Sequence, residues 1–127
     1  MGCQNLQFGI EHGNEEFRKK VLHRKCSNKK MLEAFRIVEK YKIAYTVNNI
    51  IGFPDETREL VFDTINFNRQ IDPVTINCYM FTPYKGTRLY RYCIEKGYLS
   101  KGAKGHQALD GAPLIMNTIS YSALKGL

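Results

Sequence analysis

Three segments of this sequence combine turn-forming residues with side chains that could bind a ligand. They are residues 9–14 (Gly-Ile-Glu-His-Gly-Asn), 48–57 (Asn-Asn-Ile-Ile-Gly-Phe-Pro-Asp-Glu-Thr) and 81–87 (Phe-Thr-Pro-Tyr-Lys-Gly-Thr). Glycine or proline marks the point where each would leave a strand for a helix. Because the carboxyl ends of parallel strands meet at one edge of a sheet, ligand chemistry collects there. The three segments therefore predict one shared binding site.

The elements that would position these segments alternate between strands and helices. Strands are predicted over residues 6–11, 43–51 and 74–81. Helices are predicted to begin at capping residues, which are Asn14, Ser27 or Asn28, Asp55 or Thr57, and Thr87. The order β-α-α-β-α-β-α implies a parallel sheet with right-handed crossovers. The predicted fold class is α/β, a partial parallel (β/α) barrel fragment of three strands with flanking helices and an irregular C-terminal tail. Three strands cannot close a barrel, so the sequence indicates half of a larger unit.

Composition and charge narrow the class of protein. The chain has 127 residues, of which 43% are hydrophobic, and a net charge of +7, which is typical of a globular domain or part of one. No apolar run approaches the roughly 18–20 residues of a membrane span, and no signal peptide is recognisable, so a cytoplasmic location is predicted. The basic clusters at residues 18–20, 23–25 and 29–30 are interpreted first as solvated helix faces, second as sites for an anionic ligand, and third as nucleic-acid contacts.

The cysteines and histidines give no metal-binding pattern. Four cysteines are scattered along the chain, at Cys3, Cys26, Cys78 and Cys93. Because no two of them stand at Cys-x-x-Cys spacing, we interpret them as reduced and mostly buried small apolar residues. A zinc or iron–sulfur site within this chain would need closely spaced thiolates. The sequence therefore predicts no metal site and identifies no catalytic residue.

Four motifs, in order, resemble the C-terminal half of a radical S-adenosylmethionine (radical SAM) barrel. They are residues 9–15, 21–25, 51–57 and 81–90. The closest similarity is to the subgroup with an upstream cobalamin-binding domain, because residues 113–127 are similar to the segment that follows its barrel. The resemblance implies a partial (β/α)6 barrel, with residues 1–100 as its C-terminal half and residues 101–127 as a post-barrel tail segment.

The resemblance also implies a set of cofactor contacts. Glu11 would meet the ribose of S-adenosylmethionine (SAM), Asn14 would join that network, and Arg24 would meet the methionine carboxylate, a task suited to a bidentate guanidinium. The adenine would pack against a backbone stretch made of Ile51, Gly52, Phe53 and Pro54. The following residue, Asp55, departs from the glycine that is usual in that turn.

Part of the family pattern is missing from this sequence. The Cys-x-x-x-Cys-x-x-Cys loop that holds the [4Fe–4S] cluster is absent. The resemblance implies that a full-length parent holds the cluster, and also cobalamin if it belongs to the cobalamin-binding subgroup; this chain would ligate neither. The chain alone is therefore expected to be inactive and to bind no cluster.

Each candidate residue also has a structural interpretation. Glu11 could form an ion pair with Arg24 or Lys25, and Arg24 could be one more solvated cation. Gly52 and Pro54 could make a tight strand-to-helix turn and nothing else. The neighbours Asn48 and Asn49 would point to opposite faces of their strand, and the one in the barrel interior would need a partner or a ligand.

Three functions fit these observations. The first is a fragment of a radical SAM enzyme that supplies part of the SAM site and of the site for a small-molecule substrate, for radical chemistry in which SAM yields a 5′-deoxyadenosyl radical. The second is a non-catalytic α/β module that binds a nucleotide or a partner, and the third is a basic RNA-binding fragment. An open edge and a bare interior containing Ile43, Val47 and Ile76 predict association with the missing N-terminal half of the barrel or with a second copy of the chain.

Overall fold

A computed structural model describes residues 2–99 and, in the tail, residues 114, 116 and 118. The elements in chain order are β1 (Asn5–Glu11), α1 (Glu15–Val21), α2 (Asn28–Lys40), β2 (Ala44–Ile51), α3 (Arg58–Asn68), β3 (Thr75–Met80) and α4 (Arg88–Glu95). The strands form one three-stranded parallel sheet in the order β1-β2-β3. The predicted fold class is confirmed. Most of the predicted tail segment, residues 101–127, lies outside the described residues. No helix among the described residues is long and apolar enough to cross a membrane.

The chain divides into two compact units. The first consists of residues 1–49 and 59–79, and the second of residues 50–58 and 80–127. The first unit therefore contains β1, α1, α2, most of β2, most of α3 and nearly all of β3. The second contains the loop after β2, together with α4.

The core of the first unit lies on one face of the sheet, which we call the core face. Burial alternates along β2, and Leu6 of β1 stands opposite Tyr45 while Phe8 stands opposite Val47. This alternation follows from the two-residue period of a strand. The buried side chains that pack together here are Ile10, Phe35, Val38, Tyr45, Val47 and Phe67. The rings of Phe35 and Tyr45 stack with centroids 5.3 Å apart, which fixes α2 against β2.

The opposite face of the sheet is polar, and we call it the polar face. Gln7 pairs with Thr46 and Gly9 with Asn48 in the same register, while Asn77 of β3 donates a hydrogen bond to Asn48. The expectation of a bare apolar interior is wrong. Val47 belongs to the buried core, Ile43 packs against that core, and Ile76 is 51% exposed. The error arose because the apolar residues of β2 face the helices, and the register then turns the polar residues to the other side.

In the second unit, α4 begins at the predicted cap and buries Cys93, with Leu89 and Tyr90 half-buried. The Thr87 hydroxyl accepts a hydrogen bond from the Tyr90 backbone N–H at 3.2 Å, and Gly97 has a positive φ of 69° after the helix. Cys93 is buried, and burial raises the pKa of its thiol to about 11. Ile94, although apolar and next to Cys93, is 55% exposed.

The cysteines also correct one expectation. All four are free, but only Cys93 is buried. Cys3, Cys26 and Cys78 are exposed, so the expectation that most of them are buried is wrong. The apolar residues beside them in the sequence do not carry them into the core.

Candidate functional site

A β-bulge at the end of β1 redirects Glu11. Gly9 pairs with Asn48 and Glu11 pairs with Asn49, so that Ile10 is the extra residue on β1. Ile10 stays in the core with 1% of its surface exposed. Glu11 has a φ of 67°, a left-handed conformation that few residues other than glycine adopt. The bulge thus keeps the apolar residue in the core and turns the carboxylate away from the regular strand direction.

The redirected carboxylate forms an ion pair with Arg24. The Arg24 Nη1 donates to Glu11 Oε1 over 2.8 Å, and the two side chains are 46% and 26% exposed, respectively. The carboxylate lies over Gly9, because a Cβ added at that position would overlap Glu11 Oε1. Among the described residues, Glu11 Oε2 and the other two guanidinium nitrogens of Arg24 have no other hydrogen-bond partner. The expected ion pair is confirmed, and it leaves one carboxylate oxygen and several guanidinium donors available to a ligand.

Arg18 holds the loop that carries Arg24. Its guanidinium donates to the carbonyl oxygens of His12 and Cys26, the latter at 3.1 Å, and to Asn28 Oδ1. Its backbone carbonyl accepts from the Arg24 N–H at 3.0 Å. Arg18 is completely buried, and burial lowers the pKa of its guanidinium. The interpretation of Arg18 as part of a solvated cluster is therefore wrong. Two sequence signals separate Arg18 from Lys19 and Lys20: its place next to Phe17, and a guanidinium that can donate to several acceptors when buried.

The turn between β1 and α1 packs tightly against α3. A Cβ at Gly13 would overlap backbone atoms of Asp63 and Thr64. The Gly13 N–H donates to Thr64 Oγ1 at 2.9 Å. His12 is fully buried, stacks on Phe17 with ring centroids 4.2 Å apart, and accepts at Nδ1 from the backbone N–H of residue 14. His12 is therefore part of the packing that fixes this turn.

Asn14 has structural partners at both ends of its side chain. Its Oδ1 accepts from the Phe17 backbone N–H at 2.8 Å, which caps α1, and its Nδ2 donates to Asp63 Oδ2 at 2.8 Å. The predicted cap is confirmed. A contact between Asn14 and the cofactor stays a prediction.

The two consecutive asparagines of β2 have different surroundings. Asn49 is buried on the core side, where it exchanges two hydrogen bonds with Asn68, at 3.0 and 3.2 Å, and also donates to the Asn77 carbonyl oxygen at 3.4 Å. Asn48 is half-buried on the polar face, where its Oδ1 accepts from Asn77 Nδ2 at 2.9 Å. The expectation that the pair points to opposite faces is confirmed.

In the second unit, Glu56 organises the loop after β2. Glu56 is completely buried, and its Oε2 accepts hydrogen bonds from the backbone N–H groups of Gly52 and Phe53, the latter at 3.1 Å. Gly52 has a φ of 81°. All four residues of the predicted adenine-packing stretch are buried: Ile51, Gly52, Phe53 and Pro54. Glu56 was not singled out from the sequence; its position four residues after Gly52 was the signal that its carboxylate could reach the loop backbone.

Asp55 joins the same loop to the C-terminal end of α4. Its carboxylate accepts hydrogen bonds from the hydroxyls of Tyr92 and Tyr98. Burial opposes ionisation of Asp55, but the two hydroxyls outweigh it and leave the pKa of the carboxyl lowered. The hydrogen bond to Asp55, together with a smaller effect of burial, raises the pKa of Tyr92 to about 12. Asp55 has a φ of 61°, which explains why glycine would suit this position.

The described residues fit SAM better than they fit an iron–sulfur cluster. No group of three or more His, Cys, Asp or Glu among them could hold a metal ion, so this part of the chain offers no ligand set for an iron–sulfur cluster. The Glu11–Arg24 pair does fit SAM, since a carboxylate suits ribose hydroxyls and a guanidinium suits a carboxylate.

Comparison with known families identifies the chain. Residues 1–67, more than half of the sequence, match the family profile of the Radical SAM superfamily. The chain belongs to the radical SAM superfamily. The matched residues include β1, α1, α2, β2 and nearly all of α3, and with them all seven predicted cofactor contacts.

Several curated proteins resemble this radical SAM chain. An uncharacterized methyltransferase of Pyrococcus horikoshii is 34% identical over 98 residues, which are 77% of the chain and 21% of that protein. A tRNA-2-methylthio-N(6)-dimethylallyladenosine synthase of Halalkalibacterium halodurans is 28% identical over 86 residues, 66% of the chain and 16% of that protein. A synthase of the same name from Thermosipho melanesiensis is 25% identical over 91 residues, 70% of the chain and 21% of that protein. The chain thus spans about a fifth of the length of these relatives.

The predicted site residues are divided between the two units. Glu11, Asn14 and Arg24 lie in the first unit, where Glu11 and Arg24 contact each other and Asn14 hydrogen-bonds elsewhere. The adenine-packing stretch begins two residues after Asn49 and belongs to the second unit.

Proposed function

We propose that this chain supplies part of the SAM site of a longer radical SAM enzyme, and that Glu11 and Arg24 are its cofactor-binding residues. The observation that carries the proposal is the ion pair at the bulge, in which a strained strand end presents a carboxylate beside a guanidinium. Bulges and left-handed non-glycine residues concentrate where a side chain must be aimed at a ligand. When bound, SAM supplies the radical chemistry of this superfamily.

In this proposal the two charged groups hold the two ends of one ligand. Glu11 Oε2 accepts from ribose hydroxyls, and the free donors of Arg24 bind the methionine carboxylate. The pair itself is half-exposed, and such a pair is worth only about 0.2–1 kcal/mol to folding. The left-handed backbone of Glu11, at φ 67°, costs roughly 1–2 kcal/mol for a residue with a Cβ. This cost exceeds what the ion pair contributes to folding. A geometry that folding alone does not favour supports a binding role.

The other predicted contacts remain part of the proposal on the strength of the family resemblance. Asn14 caps α1, and its part in the ribose network is a prediction. Glu56 occupies the N–H groups of Gly52 and Phe53, so a contact between this loop and adenine would use carbonyl oxygens and apolar surface.

In this proposal the binding sites that this chain lacks lie elsewhere in the full-length enzyme. The [4Fe–4S] cluster, and cobalamin if the subgroup similarity holds, bind outside this chain. The open sheet then pairs with the N-terminal half of the barrel or, in its absence, with a second copy of the chain. We place the protein in the cytoplasm, since all four cysteines are free.

Calorimetric titration of the full-length protein with SAM and with 5′-deoxyadenosine tests the proposal. Glu11→Gln should weaken SAM binding about tenfold or more, because each charge-assisted hydrogen bond is worth roughly 1.5–3 kcal/mol and about 1.4 kcal/mol changes affinity tenfold. Arg24→Ala should weaken SAM binding similarly and leave 5′-deoxyadenosine, which has no carboxylate, unaffected.

Matched controls come from the exposed surface of α2. Glu33→Gln and Arg36→Ala make the same chemical changes at exposed residues and should bind SAM like the parent. Asn68, at first sight a neutral helix position, is unsuitable because it is buried against Asn49. Parental SAM affinity in Glu11→Gln, or equal losses for both ligands in Arg24→Ala, would refute the assignment of these residues.

A further inference from the structure

Arg18 is a completely buried cation whose three acceptors come from three different segments of the first unit. Its Nη1 donates to the carbonyl oxygen of His12, in the turn between β1 and α1. Its Nη2 donates to the carbonyl oxygen of Cys26 at 3.1 Å and to Asn28 Oδ1. A planar guanidinium reaches acceptors that are spread in this way, whereas a lysine ammonium is a compact point charge. Arg18 therefore joins the end of β1, the loop after α1 and the start of α2.

These hydrogen bonds hold the backbone beside both members of the Glu11–Arg24 pair. His12 directly follows Glu11, and Cys26 lies two residues after Arg24. The backbone carbonyl of Arg18 also accepts from the Arg24 N–H at 3.0 Å. The segment that carries Arg24 is thus attached to Arg18 at two points, one through the backbone and one through the guanidinium.

The two charged partners depend on Arg18 to different degrees. Glu11 belongs to β1 and pairs with Asn49 in the ladder, so the sheet already positions its backbone. Arg24 lies in the irregular segment between α1 and α2, and its side chain is 46% exposed. A long side chain on an exposed loop loses conformational freedom when it binds a ligand, and that loss weakens binding. Arg18 supplies the order that the surroundings of Arg24 do not.

Arg18 is unfavourable to folding if it serves packing alone. Among residues 2–99, no carboxylate forms an ion pair with it. Burial lowers the pKa of its guanidinium, and the attraction of Glu15 offsets this only in part. Its Nε is buried without a hydrogen-bond partner among the described residues. A buried cation with no counter-ion and one unsatisfied donor both lower stability, so a role beyond packing explains the residue better.

We propose that Arg18 is a positioning residue of the SAM site, which holds the Arg24 guanidinium where it meets the methionine carboxylate. The inference rests on the proposed function, because it takes that task of Arg24 as given. Arg18 is fully buried and acts through the loop, with no contact to the ligand. By ordering the loop before SAM binds, it lowers the entropic cost of binding.

Calorimetric titration of the full-length protein with SAM and with 5′-deoxyadenosine measures this role. Arg18→Lys keeps the positive charge and removes the planar set of donors. It should weaken SAM binding by about tenfold, because the loop must then become ordered when the ligand binds. The affinity for 5′-deoxyadenosine, which has no carboxylate for Arg24, should change by less than about twofold. In an Arg24→Ala background, Arg18→Lys should not weaken SAM binding further.

Two further measurements keep the test independent of a single variant and a single ligand. Asn28→Ala removes one of the three acceptors of Arg18 at a half-buried helix start, and it replaces Arg18→Lys if that variant does not fold. It should give the same selective loss for SAM, by about threefold. Without any ligand, Arg18→Lys should speed hydrogen exchange of the Arg24 backbone N–H by about tenfold, because the loop opens more often.

Two controls separate positioning from the chemical change and from a loss of stability. Arg36→Lys makes the same substitution at an exposed position of α2. Val38→Ala removes buried side-chain volume near the other end of α2, where the Val38 carbonyl accepts from the Ile43 N–H at 3.2 Å, and lowers stability. Both variants should bind SAM like the parent.

Three results would overturn the proposal. They are parental SAM affinity in Arg18→Lys (or in Asn28→Ala where Arg18→Lys does not fold), equal losses for SAM and 5′-deoxyadenosine, and losses that add to that of Arg24→Ala. A failure of the proposed function is distinguishable, because Arg24→Ala itself would then bind SAM like the parent. If Arg24→Ala weakens SAM binding and Arg18→Lys does not, the positioning role is wrong and the assignment of Arg24 stands.

Discussion

The buried amide pair of Asn49 and Asn68 should contribute measurably to the stability of the first unit. The two side chains exchange hydrogen bonds of 3.0 and 3.2 Å, and Asn68 Nδ2 also donates to the Thr64 carbonyl oxygen at 2.7 Å. Asn68→Ala would leave Asn49 Oδ1 without a partner. It would also leave Asn49 Nδ2 with only the 3.4 Å contact to the Asn77 carbonyl oxygen. A buried polar group left without its partner costs about 1–3 kcal/mol, so we expect Asn68→Ala to lower the free energy of unfolding by about 2–3 kcal/mol.

A double-mutant cycle measures the coupling between these residues. Asn49→Ala should cost a similar amount, and the double variant should cost about 1–2 kcal/mol less than the sum, because the second truncation removes a group already left without its partner. Urea unfolding followed by circular dichroism gives the four free energies. Asn66→Ala, on the exposed side of the same helix, should change stability by less than about 0.5 kcal/mol. Additive losses within error would contradict the reasoning.

Two further substitutions test contacts within each unit separately. Gly13→Ala should lower the free energy of unfolding by about 1–3 kcal/mol, because its Cβ would overlap the backbone of α3; a melting temperature equal to the parent's would count against this. In the second unit, Asp55→Asn should lower the pKa of Tyr92 from about 12 toward its ordinary value of 10.0, as followed by ultraviolet titration. Because the folded-state pKa of Tyr92 is raised, its stabilising effect is complete below pH 10 and is lost as the pH rises toward 12. An identical titration curve for parent and Asp55→Asn would show that the carboxylate does not cause the shift.

Much of the fold could be predicted because local signals agree with it. Ser27 and Thr87 cap their helices through ordinary hydroxyl-to-backbone hydrogen bonds, and the apolar run of residues 43–51 forms the central strand. Which residues lie on each face of the sheet was harder to predict from the sequence. β2 alternates polar and apolar residues only in part, so the sequence did not show that Val47 faces the helices.

The contact between Glu11 and Arg24 was predictable, because opposite charges follow the same strand at short range; their role in binding the cofactor stays a prediction. The buried polar residues were not predictable. Arg18 and Glu56 both occur among charged neighbours that are exposed, and their burial depends on backbone groups that only the folded chain brings near. A β-bulge gives a similarly weak signal, because one extra residue in a strand changes no local propensity. The role of Gly9 is clear only in the folded chain, where the Glu11 carboxylate lies over it.

The most direct test of the central claim is a crystal structure of the full-length protein with SAM bound. The account predicts Glu11 Oε2 within about 3.0 Å of a ribose hydroxyl, and Arg24 nitrogen atoms within about 3.2 Å of the methionine carboxylate. A complex in which SAM contacts neither residue, with the Arg24–Glu11 pair still closed at 2.8 Å, would contradict it.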